Sequence, residues 1–205
     1  MGGHFNLPEV VENSLYLLAL LNPASKVMFL ATYEPPLTKA EIFELAWKSS
    51  LAALVILVAL AGAGEMVLSK IFRVELYSLK ITGGLVLFMI GWVAVREGRF
   101  VIRKEHPQIV NFTDLSLVPL AAPLIAGPGT IAASISGTAE FGLPFMIVSL
   151  TAAIAVNFVV MVFAHGINRV LEKLHLLGPL IRLTGLIIAA VAVQMVIAGL
   201  KDCLR

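Results

Sequence analysis

Leu21-Asn22-Pro23-Ala24-Ser25 and Ala126-Gly127-Pro128-Gly129-Thr130 each interrupt an apolar run long enough to cross a bilayer. The two stretches share one make-up: a small or polar residue, a proline, a small residue and a hydroxyl. Proline lacks the backbone donor and its ring clashes with the preceding turn, so a helix does not pass it unbroken. Hydrocarbon tolerates the freed N–H and C=O groups only where protein or a water-filled cavity covers them. Two matched interruptions in corresponding halves of a chain point to the central binding site of a transporter.

The runs around these breaks extend the reading to the whole chain. Of its 205 residues 59% are hydrophobic and 14% charged, against roughly 45–50% and about 25% in soluble domains. The apolar residues fall in blocks of about 20, the length that crosses a bilayer. The expected fold is an all-α membrane protein forming one transmembrane domain over 1–205. Its six helices lie near 8–33, 44–68, 76–95, 115–138, 143–165 and 179–200, with the first and fourth broken mid-membrane.

The halves match beyond the breaks. Leu79-Lys80-Ile81-Thr82-Gly83 opens the third span and Ile181-Arg182-Leu183-Thr184-Gly185 the sixth. Pro23 and Pro128 are 105 residues apart, Thr82 and Thr184 102. A three-helix unit crosses the membrane an odd number of times, so its second copy enters from the opposite side. The pattern therefore predicts two inverted three-helix repeats, about 8–95 and about 114–200, the architecture of many secondary transporters. Gly83, Gly84 and Gly185, and Ala59, Gly62, Ala63 and Gly64 on the second span, are small enough for close helix packing.

The polar stretch about 96–113, with Arg96, Arg99, Arg103 and Lys104, reads as a solvated cytoplasmic connector. Thr38 with Glu41 three residues on has the spacing of a capping box, predicting a helix start near Lys39. Loops after spans one, three and five hold nine of the fifteen basic residues and the opposite side five. The positive-inside rule then puts the nine-residue side in the cytoplasm and both termini outside the cell membrane. The opening Met1-Gly2-Gly3-His4 has no basic n-region, so no removable signal peptide is expected. Cys203, the single cysteine, excludes an internal disulfide framework and a Cys-rich metal site.

A helix stopped mid-membrane turns free carbonyls to its surroundings, and one restarted there turns free N–H groups; the stop suits a cation and the restart an anion. Two breaks brought together suit a zwitterion of amino-acid size. Asn22, Pro23, Ala24, Ser25, Gly127, Pro128, Gly129 and Thr130 are the expected substrate-binding residues. Ala24, Gly127 and Gly129 allow close backbone approach, Ser25 and Thr130 add hydroxyls, and Asn22 both donates and accepts. Glycine, alanine and serine fit this setting better than large or charged amino acids.

Polar residues within spans are functional candidates by default. Lys26, one turn past the first break, balances a substrate carboxylate, takes part in ion coupling or snorkels to the interface. Glu65 and His165, near the ends of spans two and five, either carry a coupling proton or sit at the interface. Thr82 and Thr184 either touch the ligand or bond within the bundle, and Asn157 and Gln194 are helix glue or substrate contacts.

The run Asp114-Leu115-Ser116-Leu117-Val118-Pro119-Leu120-Ala121-Ala122-Pro123-Leu124-Ile125-Ala126-Gly127-Pro128-Gly129-Thr130 resembles the signature of the MarC/SnatA family of integral membrane proteins. The segment from Arg182 to Met195 and Asn22-Pro23 are also similar to it, so the likeness spans essentially the whole chain. The resemblance implies six helices, an inner-membrane location and, for the SnatA branch, ion-gradient-linked transport of small neutral amino acids. Family members usually carry a glycine soon after Asn-Pro; here Ala24-Ser25-Lys26 follows, and Lys26 alters the charge of the pocket.

The expected function is secondary transport of small neutral amino acids coupled to H+ or Na+, the alternative being export of drugs or other small metabolites. No His-Glu-x-x-His helix, intramembrane aspartate pair or Gly-x-Ser-x-Gly elbow supports an enzyme. No catalytic residue, metal, cofactor or nucleic-acid partner is expected, and membrane lipid is the surrounding partner.

Overall fold

A computed structural model describes residues 6–31, 37–98, 125–174 and 176–204. The connector at about 96–113 lies outside them after Gly98, as does the fourth span as far as Leu124. Among the described residues there are eight α-helices: α1 (Leu7–Leu21), α2 (Pro23–Ala31), α3 (Lys39–Met66), α4 (Leu76–Glu97), α5 (Pro128–Phe141), α6 (Leu143–Val162), α7 (Ala164–Lys173) and α8 (Leu177–Cys203).

Four of them are long and apolar enough to cross a membrane: Lys39–Gly64 within α3, Leu76–Glu97, Leu143–Val162 and Gly178–Cys203. They correspond to the expected second, third, fifth and sixth spans. The stretch expected as a first span is two helices, α1 and α2. At 1.5 Å per residue they reach only about 22 and 14 Å, each short of a hydrocarbon core about 30 Å thick. The fifth span is shorter than expected: it stops at Val162, because Phe163 leaves helical geometry with ψ near 7°. His165 therefore belongs to the separate helix α7 rather than to the end of a span.

Local chemistry sets the helix starts. Thr38 and Glu41 form the expected capping box, Thr38 N–H donating to Glu41 Oε2 at 2.7 Å and Glu41 N–H to Thr38 Oγ1 at 3.3 Å. Pro8 and Pro128 stand in the first turns of α1 and α5, where a missing N–H costs nothing. α3 continues into a π-helical turn over Val67–Phe72, after which Arg73 takes φ 54° and ends the run.

The bundle is apolar outside, as lipid favours, and its interior is an apolar core that also encloses a few polar side chains. Phe43, Trp47, Leu51 and Val55 form an exposed stripe on α3, one turn apart. Ser49 is buried on the opposite side and Ser50 beside the stripe, and Ser149 and Asn157 are buried on α6. α3 and α6 run antiparallel: Phe43 meets Phe158 edge-on at 5.8 Å, and Gly62 faces Leu143. α1 and α5 pack against this pair, Asn13 Nδ2 donating to Met146 Sδ at 3.3 Å.

The closest packing joins α4 and α8, also antiparallel. A Cβ on Gly91 would stand 2.7 Å from both Gly185 O and Ala189 N; one on Gly84 would stand 2.8 Å from Ala192 O. One on Gly185 would reach Ala94 Cβ at 2.7 Å, and one on Gly199 would reach Tyr77 O at 2.9 Å. Only glycine lets the two backbones approach so closely. Lys80 Nζ pairs with Asp202 Oδ2 at 2.7 Å at one end, and Arg182 lies over Gly98 at the other. Gly83, Gly84 and Gly185 thus take the packing role expected of them. On α3 only Gly64 does, against Ile135, whereas Ala59, Gly62 and Ala63 are exposed.

Candidate functional site

The first break is a stop, a turn and a restart within three residues. α1 ends at Leu21, Asn22 takes the left-handed conformation (φ 51°, ψ 73°), and Pro23 opens α2. Asparagine is one of the few residues besides glycine that visits this region at low cost. Its N–H closes the last turn of α1 on Leu18 O at 3.0 Å. Its carbonyl accepts from Ser25 N–H at 3.1 Å and from Ser25 Oγ at 2.8 Å. The Ser25 hydroxyl is thus engaged by the turn itself. Asn22, Ser25 and Lys26 are buried, while Pro23 and Ala24 are half-buried.

Lys26 does not snorkel. Its side chain is 0% exposed, and its ammonium donates to the carbonyls of Leu21 and Asn22, the latter at 3.4 Å. A cation thus caps the negative end of α1.

The second break is described from Ile125 onward. Gly127 precedes the first turn of α5 in extended geometry (φ −73°, ψ 165°), and its carbonyl accepts from Ile131 N–H at 2.9 Å. Gly129 and Thr130 are buried, Gly127 is half-buried and Pro128 exposed. Gly129 was expected to leave room for a ligand. Instead Leu87 of α4 occupies that room: a Cβ on Gly129 would fall 1.6 Å from Leu87 Cδ1. Gly83 serves the same contact, facing Ala132 Cβ and Pro128 O.

Leu21 and Val27 at one break and Ile125 and Ala126 at the other belong to a single apolar core, and α1 packs on α5. The remaining candidates are dispersed. Asn157 is fully buried, with Nδ2 on Met161 Sδ at 3.3 Å and no partner for Oδ1 among the described residues. Thr184 bonds back to Leu180 O at 2.8 Å and Ile181 O at 3.0 Å within its own helix. Thr82 and Gln194 are exposed. His165 is half-buried on α7, with Nδ1 buried and unpaired among the described residues. Glu65 lies in the last turn of α3, its side chain outside the described part.

A cavity of about 180 Å³ lies behind Ala24, walled by Val27, Met28, Val160, Ile167, Leu180 and neighbouring aliphatics. Sequence reasoning missed it, because α7, which forms one wall, gives no span-length signal. The wall is apolar and offers a zwitterion no partner, whereas Lys26 and Asn22 are buried in the core.

Asn22 can be tested apart from its turn. Asn22→Gly should leave thermal stability nearly unchanged, because glycine adopts the same φ. Asn22→Val should destabilise by about 1–2 kcal/mol, the cost of left-handed geometry for a residue with a Cβ branch. Equal melting temperatures for the two variants would show that the turn does not depend on this conformation.

No solved structure matches the chain. A UPF0056 membrane protein of Pyrococcus horikoshii is 35% identical over 193 residues, 94% of each chain. Relatives under the same description in Methanocaldococcus jannaschii and Bacillus subtilis are 33% and 31% identical, covering 92% and 94% of this chain and 94% of each relative. A model of the MarC family of integral membrane proteins matches residues 7–204, and with four apolar helices of membrane-crossing length among the described residues, the chain belongs to that family.

Proposed function

We propose that the chain is a secondary transporter of small neutral amino acids that works by alternating access around the breaks at Asn22-Pro23 and Gly127-Pro128. The observation that carries this reading is the first break: a helix stop inside the bundle whose carbonyls face a buried ammonium. A helix end of this kind binds charge, here met by the lysine that caps it. Asn22, Pro23, Ala24, Ser25, Gly127, Pro128, Gly129 and Thr130 form the substrate region, with Asn157 a further polar group in the same interior. Glu65 and His165 are the candidate proton carriers. The chain catalyses no covalent reaction.

The architecture proposed is two inverted repeats. Lys80 and Arg182, matched in sequence, each lie at the far end of the other's helix. α3 packs on its counterpart α6, and α3–α5 contacts have their equivalent in α6–α1 contacts. An exchange of this kind is expected of a two-fold axis in the membrane plane. Six helices then cross a cell membrane, both termini outside.

Uptake of labelled glycine into proteoliposomes under an imposed pH gradient tests the reading. Gradient-dependent accumulation, competed by alanine and serine but not by lysine or glutamate, is the expected result. The apolar cavity behind Ala24 favours the second reading, export of a less polar metabolite or drug. Absence of glycine uptake together with efflux of such a solute would replace the first reading by the second.

A further inference from the structure

We infer that the ammonium of Lys26 occupies a monovalent-cation site at the carbonyl end of α1, so that the chain carries its cation covalently and draws no sodium to the first break. The stop at Leu21 leaves carbonyls that hydrocarbon cannot solvate. The left-handed turn at Asn22 brings two of them, Leu21 O and Asn22 O, to one nitrogen. The Asn22 carbonyl already takes two donors from Ser25, so the helix-end carbonyl that depends on the ammonium is that of Leu21. Carbonyl ends of interrupted helices are where transporters hold sodium.

Three observations show that Lys26 fills this role rather than merely lying near it. Its side chain is wholly buried, although long enough in general to reach an interface. Among the described residues no carboxylate lies within ion-pair distance of it; the ion pairs there are Lys48–Glu44 and Lys80–Asp202. Its hydrogen bonds go only to the carbonyls that the break exposes. In its protonated form the lysine supplies the positive charge that a bound ion would otherwise bring, at no cost in translational freedom. The consequence for coupling rests on the transport reading above; the cation site itself does not.

Melting temperatures of the purified protein test the site without any assumption about transport. Wild type should melt alike in sodium, choline and n-propylammonium chloride at equal ionic strength. Lys26→Ala should melt lower in choline by about 5 °C, through carbonyls left without a donor, and regain at least half of that in n-propylammonium or sodium. A Lys26→Ala protein equally stable in all three salts would overturn the proposal. If that variant yields no folded protein, Lys26→Met decides: wild-type stability in sodium-free buffer would show that the space is filled and the charge idle, overturning it. A lowered melting temperature would support it. In proteoliposomes, glycine uptake by wild type should be unchanged when sodium is replaced by choline, and a sodium requirement would overturn the coupling consequence. Absence of all uptake would defeat the transport reading and leave the melting result standing.

Discussion

Gly91→Leu should leave little folded protein, and Gly91→Ala should already cost about 3 kcal/mol, the upper range for overpacking. The atoms that a Cβ would meet, Gly185 O and Ala189 N at 2.7 Å, are backbone and cannot turn aside. α4 and α8 would have to part, and Gly84, Gly185 and Gly199 would lose their contacts with the opposite helix together. Gly166 and Gly178 provide the contrast: nothing lies within 4 Å of a Cβ there. Alanine at Gly166, inside α7, should be neutral or stabilise by roughly 0.5–1 kcal/mol through helix propensity. Thermal unfolding of the two alanine variants in one detergent measures both effects. A Gly91→Ala protein as stable as Gly166→Ala would mean that the α4–α8 contact is looser than described.

The second large effect is expected at Gly129. Gly129→Ala places a methyl within 1.6 Å of Leu87 Cδ1 and 2.5 Å of its Cγ, inside a packed core. Leu87 must leave its rotamer, costing about 1–3 kcal/mol. Leu87→Ala alone removes buried volume and should cost about 2–5 kcal/mol. The double variant should be more stable than the sum of the two losses by about 0.5–3 kcal/mol, the range for residues in contact. Additive losses would mean that the two side chains do not share this space, and that Gly129 faces an opening instead. The same variants in the uptake assay separate packing from ligand contact. A Gly129→Ala/Leu87→Ala protein that is folded but inactive would assign Gly129 to the substrate region.

Much of this arrangement was legible in the sequence, for local reasons. Asn22-Pro23 can only stop one helix and start another. Thr38 and Glu41 fix a cap by spacing alone, and Gly83, Gly84 and Gly185 announce close packing by lacking side chains. What stayed hidden is direction. α4 and α8 are apolar all round, because lipid and neighbouring helices are alike as surroundings. Nothing in their pattern told that Thr82 and Gln194 are exposed, or that Leu87 fills the space beside Gly129. The helix end at Phe163 was equally hidden, having neither proline nor glycine at the position. Lys26 could be recognised as exceptional from its place in an apolar run. Its partners could not, since the carbonyls that hold it belong to the far side of the break.

The glycine-lined contact between α4 and α8 also constrains how the protein comes to be folded. It joins residues about a hundred positions apart, such as Gly91 and Gly185, so a long stretch of chain must be made before it can close. During synthesis α4 enters the bilayer well before its partner exists, and its glycine face meanwhile rests against lipid or a provisional neighbour. Assembly therefore ends with α8. A chain stopped before Leu177 lacks the surface against which α4 is shaped, and such a product is material for proteolytic quality control rather than a smaller version of the bundle.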